Sequence, residues 1–503
     1  MPLRAKIQNP AFSFAAAAAS KINITPQPDD DPDDVLFGSI YGVRTIELNR
    51  PKKLNSLNGS MVRKIIPRLQ EWQKSDLANI IIMGGAGERA FCAGGDVAAL
   101  ALQNKEGRQG QQKSSDYFAL EYKLDHLIAT YPKPYVAYMD GITMGGGVGL
   151  SVHAPFRIAT ERTVFAMPET TIGFFPDVGG TFFLPQLDGN IGKYLALTSE
   201  RLKGVNVFYA GIATHYVHSS TLGDLTARLS ELRFEDHFGK EQRLELVKQA
   251  IEEFSITFPT DERPIFRRDL RSVIDYCFGQ DTVEEIIQSL QKVQRGEGEF
   301  SQSQWATDTL KSLSERSPTS LKVTARQMAA FKETDIAEVF RREHQLASRF
   351  MAHPDFTEGV MARLVEKRAP RWRPETLEEV TNEDVDKMFL TEGEPLELLS
   401  PETYTDYPAA TSIGLPREAD IAHVVKQNRF SSLQQAVLWY NKKRGDEFGL
   451  KEKIEDSIRR IAVLADSPEG SCLQLRADVE EQEKAKQKAK QQRQIVVEKG
   501  DDV

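Results

Sequence analysis

The chain has 503 residues, of which 40% are hydrophobic, so it can bury a large core and form more than one domain. Its formal net charge of −9 argues against a general nucleic-acid binder, and its three cysteines lack the pattern of a disulfide framework or a zinc site. No apolar run approaches the ~18–20 residues that a membrane-spanning helix needs, so we expect no membrane insertion.

The first residues differ in composition from the rest of the chain. Residues 1–28 contain Arg4, Lys6 and Lys21 but no acidic side chain, and they include a run of alanines. This composition is typical of a mitochondrial presequence, although an ordinary disordered terminus can share it. We therefore predict a mitochondrial matrix protein with a presequence and a Pro/Asp-rich linker over residues 1–34.

From residue 35 onward the pattern becomes globular. Two short strands with a turn near Gly42 precede a helix over 60–72, which Pro67 is expected to kink or interrupt. The chain then alternates between strand, helix and strand over 79–83, 116–130 and 134–139. This alternation predicts crossover units that build a parallel sheet.

Two glycine-rich stretches each follow a predicted strand. They are Ala-Phe-Cys-Ala-Gly-Gly-Asp-Val at 90–97 and Ile-Thr-Met-Gly-Gly-Gly-Val-Gly at 142–149. A single stretch of this kind is explained equally well by a tight turn with close helix packing. Two of them predict two sets of backbone N–H groups that converge on one carbonyl, as in an oxyanion hole. Neither stretch fits a dinucleotide or phosphate-loop motif.

The segment 165–180 carries two acidic residues, Glu169 and Asp177, among apolar and small ones. Buried carboxylates are costly unless they have a partner or a function. Gly173 and Pro176 lie between them, and a bend there would turn both acids toward one pocket. By residue type alone, a structural role remains the commoner explanation. His153 and Cys92 lack the partners of a nucleophilic set, and we interpret both as structural.

The two glycine-rich stretches together resemble the enoyl-CoA hydratase (crotonase) superfamily. Within it, residues 35–374 resemble the 3-hydroxyisobutyryl-CoA hydrolases of valine breakdown. The resemblance implies an α/β fold, a crotonase-like spiral of β-β-α units, followed by a C-terminal helical region. It also implies that Lys52 and Lys53 lie near the CoA, although such lysines are more often simply solvated.

The same resemblance implies the roles of five residues. The backbone amides of Gly95 and Gly146 form the oxyanion hole, and Glu169 and Asp177 are catalytic. Glu121, Gly146, Glu169 and Asp177 bind the substrate. Glu121 is chosen on the resemblance alone, because an acid at its position on a helix would otherwise be taken as exposed.

The resemblance favours hydrolysis over water addition. Hydratases of the superfamily use two glutamates; the second corresponds to Glu169, whereas the first position holds Gly149. Glu169 would attack the acyl-CoA thioester or activate water, two routes that the sequence leaves open. Asp177 would help to place the hydroxyacyl group and the leaving thiol, and isomerase chemistry would leave it without a role. No metal or redox cofactor is implied.

The sequence predicts a catalytic core over 35–220, a helical part over 221–375 and an extension over 376–503. Helices are expected in the helical part at 242–254, 282–294, 301–314 and 320–331. In the extension, residues 392–416 should be irregular, 431–464 helical with apolar anchors, and the charged run 480–493 a solvated helix or a disordered tail.

The extension exceeds what such a hydrolase needs. Fungal mitochondrial proteins that resemble this hydrolase also occur in the small subunit of the mitochondrial ribosome. The alternative hypothesis is therefore a component of that subunit, with or without hydrolase activity. Besides the acyl-CoA substrate and the ribosome, a second copy of the chain in a homo-oligomer is the third partner that we consider.

Overall fold

The structure is a computed structural model that describes residues 24–255, 264–330, 334–391, 393–409, 412–465, 471–477 and 479–481. Most of the expected presequence and nearly all of the charged run near the C-terminus lie outside these ranges. Within them, no helix combines the length and the apolar character that crossing a bilayer requires.

Two sheets take up strands in turn along the chain. The strands are β1 (Val35–Ile40), β2 (Val43–Leu48), β3 (Ile80–Gly85), β4 (Ala90–Cys92), β5 (Tyr135–Met139), β6 (Ile142–Met144), β7 (Phe156–Ala159), β8 (Val164–Ala166), β9 (Leu202–Lys203) and β10 (His215–Tyr216). One sheet has six strands in the order β1-β2-β3-β5-β7-β10, and the other has four in the order β4-β6-β8-β9. Because β3, β5 and β7 enter the first sheet while β4, β6 and β8 enter the second, the chain forms the expected spiral of β-β-α units.

The larger sheet is parallel from β2 through β10, and only β1 runs antiparallel to its neighbour. Parallel strands covered on both faces read as continuous apolar runs. The strand β5 shows this pattern, since all of its residues are buried. The crossover topology predicted from the alternation of strands and helices is therefore confirmed.

The helices surround these sheets and fill the second half of the chain. They are α1 (Gly59–Lys74), α2 (Val97–Asn104), α3 (Arg108–Ala129), α4 (Gly146–Val152), α5 (Gly180–Phe183), α6 (Ile191–Thr198), α7 (Val205–Tyr209), α8 (Leu222–Ser230), α9 (Lys240–Glu252), α10 (Arg268–Phe278), α11 (Val283–Gln294), α12 (Ser303–Ser314), α13 (Pro318–Ala330), α14 (Ile336–Ala352), α15 (Pro354–Val360), α16 (Asn382–Met388), α17 (Glu418–Gln427), α18 (Leu433–Arg444) and α19 (Leu450–Ile461). The four helices expected between residues 242 and 331 correspond to α9, α11, α12 and α13, which confirms those predictions.

The sequence predicts a kink or an interruption at Pro67, and of these two the interruption is wrong. Helix α1 is continuous from Gly59 to Lys74, with Pro67 inside it. Ile65, Ile66 and Leu69 on this helix are fully buried against the sheet. Their packing outweighs the backbone hydrogen bond that proline removes, because tertiary contacts supply most of a helix's stability.

Helix α3 places acidic side chains in the interior. It has 22 residues, and its C-terminal half is buried on nearly every side. Helix α14 packs along it, and the short glycine-rich helix α4 also contacts it. Glu121 and Asp125 are therefore buried, although a single amphipathic helix would expose them.

The described part of residues 376–415 packs into the main core. Val380, Val385 and Leu396 are buried there together with residues of the spiral. Tyr404 and Tyr407 pack edge-on against Phe182. Apart from the stretches left undescribed, residues 392–416 contain neither a helix nor a strand, as expected.

The last described part of the chain has a small core of its own. Helices α17, α18 and α19 enclose it together with the hairpin of β11 (Ala462–Ala465) and β12 (Cys472–Leu475). The helical segment expected over 431–464 is thus two helices and a strand. Gly445 and Gly449 adopt left-handed backbone between the helices, with φ of 80° and 73°, which is why the helical path breaks there.

Candidate active site

The two glycine-rich stretches form neighbouring corners. Strands β4 and β6 pair in parallel, so both corners lie at the same edge of the smaller sheet. A Cβ atom on Gly94 would lie 3.8 Å from the Cα of Gly145, and one on Gly146 would lie 3.3 Å from the amide nitrogen of Gly95. Gly94 and Gly145 also have positive φ, which favours glycine. Helix α4 begins at Gly146, so the N–H of Gly146 has no acceptor within the helix.

Two of the predicted acids flank the second corner. A Cβ on Gly146 would collide with Oε1 of Glu121, and one on Gly145 would lie 3.1 Å from Oε1 of Glu169. Both carboxyl groups are buried. Oε1 of Glu121 and Oε2 of Glu169 have no hydrogen-bond partner among the described residues. The two glycine corners and these partnerless carboxyl oxygens thus form one buried cluster, which we call the pocket.

Asp177, the third predicted acid, has a specific partner. The hydroxyl of Tyr122 donates a hydrogen bond of 2.7 Å to its Oδ2. Burial raises the pKa of Asp177 to about 7, although the bond from Tyr122 acts in the opposite direction. Burial, followed by the charge of Asp177, raises the pKa values of Glu121 and Glu169 well above the ordinary range. The pocket thus brings together all five residues predicted from the sequence: Gly95, Gly146, Glu121, Glu169 and Asp177.

The loop after Asp177 is held in an unusual conformation. Val178 has a φ of 52°, which is strained for a β-branched residue. The ring Nε2 of His153 donates to the carbonyl of Val178 at 2.8 Å, and Nδ1 lies 2.8 Å from the hydroxyl of Tyr407. Burial lowers the pKa of His153 to about 4, so the ring is neutral. Both ring nitrogens are occupied by structural contacts, which confirms the structural interpretation of His153.

A carboxyl group from the C-terminal helices fixes the same loop from the other side. Glu343 on α14 accepts hydrogen bonds from the backbone N–H of Gly179 at 2.7 Å and of Thr181 at 3.2 Å. It also accepts one from the hydroxyl of Thr181 at 2.5 Å. Helix α14 is therefore part of the wall that positions Asp177.

Sequence reasoning missed Tyr122, Asp125 and Glu343. Asp125 lies one helical turn after Glu121, a spacing that puts both acids on the same face of α3, and this signal was present in the sequence. Tyr122 and Glu343 gave no signal. Their contacts span 55 and 164 residues of the chain.

The pocket is acidic throughout. Burial and neighbouring carboxylates account for the raised pKa values of Glu121, Asp125 and Glu169, and no cation contributes to them. In the part of the chain that the structure describes, no three histidine, cysteine or acidic groups are arranged to hold a metal ion. Cys92 is buried behind the first corner, and burial raises the pKa of its thiol to about 12. It is a packing residue, as interpreted from the sequence.

This fold and this pocket place the protein among the crotonase-type α/β enzymes and their relatives. The chain belongs to the enoyl-CoA hydratase/isomerase family, whose model matches residues 43–389. The small ribosomal subunit protein mS47 of Neurospora crassa is 50% identical over 479 residues, which cover 93% of each chain. The mitochondrial 3-hydroxyisobutyryl-CoA hydrolase of Gallus gallus is 45% identical over 362 residues, 72% of this chain and 89% of that relative.

A solved structure agrees in fold. The carnitinyl-CoA dehydratase of Mycobacterium thermoresistibile is 34% identical and superposes with a TM-score of 0.63, covering 73% of this chain and 99% of that one. The match to the ribosomal protein extends over more of this chain than the other two matches. Because it covers 93% of the chain, it must include most of residues 376–503.

Proposed function

We propose that the protein hydrolyses a short branched hydroxyacyl-CoA thioester, 3-hydroxyisobutyryl-CoA, to the free hydroxy acid and CoA in the mitochondrial matrix. The observation that carries this proposal is the buried pair of Glu169 and Asp177 beside the two glycine corners. The names of the hydrolase relatives, which are mitochondrial, support it. Gly149 offers no carboxyl group at the position where hydratases of the family carry the first of their two glutamates.

In this proposal the thioester carbonyl oxygen accepts hydrogen bonds from the N–H groups of Gly95 and Gly146. Negative charge develops on that oxygen when the carbonyl carbon becomes tetrahedral. A fixed backbone donor that faces such a charge typically contributes ~3 kcal/mol to lowering the barrier. Glycine is favoured at both positions because a Cβ on Gly146 would collide with Oε1 of Glu121, and one on Gly95 would lie 3.0 Å from the hydroxyl of Tyr117.

The carboxyl pair supplies one base and one acid. Because the two groups are buried close to one another, the ionisation of one raises the pKa of the other, and they titrate as a unit. The hydrogen bond from Tyr122 favours the charged form of Asp177. A proton shift from Glu169 to Asp177 produces the Glu169 carboxylate. This carboxylate takes a proton from a water molecule that attacks the carbonyl carbon, or it attacks that carbon itself. In both routes the C–S bond breaks and Asp177 gives its proton to the departing thiolate of CoA. The second route leaves a mixed anhydride on Glu169, and a water molecule that gives a proton to the Asp177 carboxylate then hydrolyses the anhydride to the free hydroxy acid and the Glu169 carboxylate. The scheme needs no metal or redox cofactor.

The test is a panel of CoA thioesters with the full-length protein. Release of the CoA thiol is followed with a thiol-reactive chromophore, and water addition to crotonyl-CoA is followed by the loss of enoyl absorbance. We expect rapid hydrolysis of 3-hydroxyisobutyryl-CoA and little hydration of crotonyl-CoA. Robust hydration without thiol release would overturn the assignment and place the protein among the hydratases.

A second function is favoured by the match of the extension to the ribosomal relative. In this second proposal the protein is also a component of the mitochondrial small ribosomal subunit. Helix α18 offers a surface for contact, because Leu438 is 61% exposed and Lys442 and Lys443 beside it are exposed. Lysines near an apolar contact suit a partner that contains RNA phosphates.

This surface can be tested without removing any buried residue. We expect the variant L438E/K442E/K443E to lose co-sedimentation with the small subunit at low salt while it keeps its hydrolase activity. A matched control is L102E/K105E on the catalytic core, where Leu102 is 55% exposed and Lys105 is exposed. Wild-type protein that runs free of the small subunit would contradict this second function and leave the first one intact.

A further inference from the structure

Helices α3 and α4 face each other through two acid–glycine contacts. Glu121 lies against Gly146, and one turn further along both helices Asp125 lies against Gly149. A Cβ on Gly149 would come within 2.6 Å of Oδ2 of Asp125 and 2.8 Å of the Cβ of Val178. The carboxyl group of Asp125 therefore occupies the space that a side chain at position 149 would take.

Asp125 has no partner for its carboxyl group. Its exposed fraction is 0%, and neither oxygen makes a hydrogen bond to the described residues. Glu343, which is also 0% exposed, shows how the fold treats a carboxyl group with a structural task, since it accepts three hydrogen bonds. A buried polar group without a partner destabilises the folded protein, so a ligand hydroxyl that reached Asp125 would gain a hydrogen bond there.

The surroundings of Asp125 favour the neutral form of its carboxyl group. Burial raises its pKa well above the ordinary range, and the neighbouring charges of Glu121, Asp177 and Glu343 raise it further. A neutral carboxylic acid has one O–H donor and a free carbonyl oxygen. A group of this kind pairs with a hydroxyl, which can both accept and donate.

The position of Asp125 along α4 indicates which hydroxyl group of a substrate it could bind. From Gly146 to Gly149 the helix rises about 4.5 Å, so Asp125 contacts α4 at roughly that distance along the helix axis from Gly146, whose N–H faces the thioester carbonyl in the proposed function. The oxygen on C3 of a 3-hydroxyacyl group is three bonds away from the thioester carbon, which is a comparable reach. We propose that Asp125 binds the 3-hydroxyl of the acyl group and is the residue that distinguishes hydroxylated from unsubstituted acyl-CoA. This inference rests on the proposed hydrolase function.

The test compares two thioesters that differ only in that hydroxyl: 3-hydroxyisobutyryl-CoA and isobutyryl-CoA. We expect Asp125→Val to lower kcat/KM for the hydroxylated substrate at least ~10-fold, the effect of one buried hydrogen bond, with little change for isobutyryl-CoA. Asp125→Asn should retain most of the preference, because its amide N–H donates from the same place. Ser115→Ala is the control, since Ser115 is a buried polar residue of α3 that bonds Ser348 instead of the pocket.

Two results would overturn the inference. An equal loss on both substrates in Asp125→Val would make Asp125 part of the chemistry or of the fold, and no loss on either would make it a spectator. Failure of the proposed function itself is distinguished by calorimetry. If the wild-type protein hydrolyses neither thioester, binding of both is measured: a preference for the hydroxylated ligand that Asp125→Val abolishes supports the inference, and equal affinities reject it.

Discussion

Two groups of acidic side chains, one at a junction between parts of the chain and one in the pocket, have opposite electrostatic surroundings. At the junction between the core and the last helices, Asp188 accepts a hydrogen bond of 2.7 Å from the backbone N–H of Glu418 and pairs with Lys453. Burial would raise the pKa of Asp188, but Lys453, Arg271 and Arg460 outweigh it and hold the pKa below its ordinary value. In the pocket, burial and neighbouring carboxylates raise the pKa values of Glu121, Asp125 and Glu169.

The difference shows which charges serve stability and which serve function. At the junction the charge of Asp188 is offset by nearby cations, so its ionisation stabilises the folded chain. The ion pair between Asp188 and Lys453 also links the core to the extension. In the pocket ionisation opposes folding, and such an arrangement is retained where chemistry requires groups with shifted pKa values. The predictions below test this contrast.

The largest effect is expected in the pocket. Glu169→Gln should keep the fold but lower kcat for thioester hydrolysis at least ~10²-fold, because a principal base or nucleophile is lost. Thiol release and circular dichroism measure the two properties. Glu161→Gln, a change on the surface where Glu161 accepts a hydrogen bond from the backbone of Ser219, should alter neither. Near-normal turnover in Glu169→Gln would remove Glu169 from its proposed role.

A substitution at the junction should change the stability of the protein and leave its activity unchanged. Asp188→Asn leaves buried cations without their counter-charge and should lower the unfolding free energy on the order of 3 kcal/mol. The apparent Tm should fall by several degrees while kcat is unchanged. Lys387→Met, which breaks the exposed pair with Glu383, is the control and should leave the Tm almost unchanged. Equal decreases of the Tm in both variants would contradict the expected difference between the junction ion pair and the exposed one.

The pocket predicts a pH dependence of stability with a definite sign. Asp177 has a pKa of about 7 and Glu343 of about 8, both raised by burial, whereas unfolded carboxyls titrate near ~4. Between these values the folded chain binds more protons than the unfolded one, so the contribution of these groups to stability falls as the pH rises from about 4 to 8. Glu121→Gln removes one such group and should raise the apparent Tm at pH 8, in contrast to Asp188→Asn. A lower Tm of Glu121→Gln at pH 8 would contradict the prediction, because it would mean that the Glu121 carboxylate stabilises the folded protein.

The smallest effect concerns Tyr122. Its hydroxyl stabilises the charged form of Asp177, so Tyr122→Phe should raise the pKa of Asp177. The acidic limb of the kcat/KM profile should therefore move toward higher pH by up to about one unit, with a modest change at the optimum. A profile that does not move would show that Asp177 does not control this limb.

The sequence predicted the fold better than the pocket. Buried parallel strands produce long apolar runs in the sequence, and the two glycine corners are easy to recognise because each contains consecutive glycines directly after a strand. Glu169 and Asp177 were found because acids are conspicuous among apolar residues. Glu121 was found only through the family resemblance, and Asp125 was missed. Both lie on a helix whose covering partner, α14, begins more than two hundred residues later, so the sequence around them does not reveal that they are buried.

The contact between Tyr407 and His153 has a consequence for the order in which the protein matures. The two residues are 254 positions apart in the chain. During synthesis from the N-terminus, the glycine corners, Glu169 and Asp177 are made long before Tyr407. His153, which holds the strained Val178 turn, therefore gains its second partner only after residue 407 has been made. A nascent chain that contains the spiral but not Tyr407 carries the acidic groups of the pocket without this support.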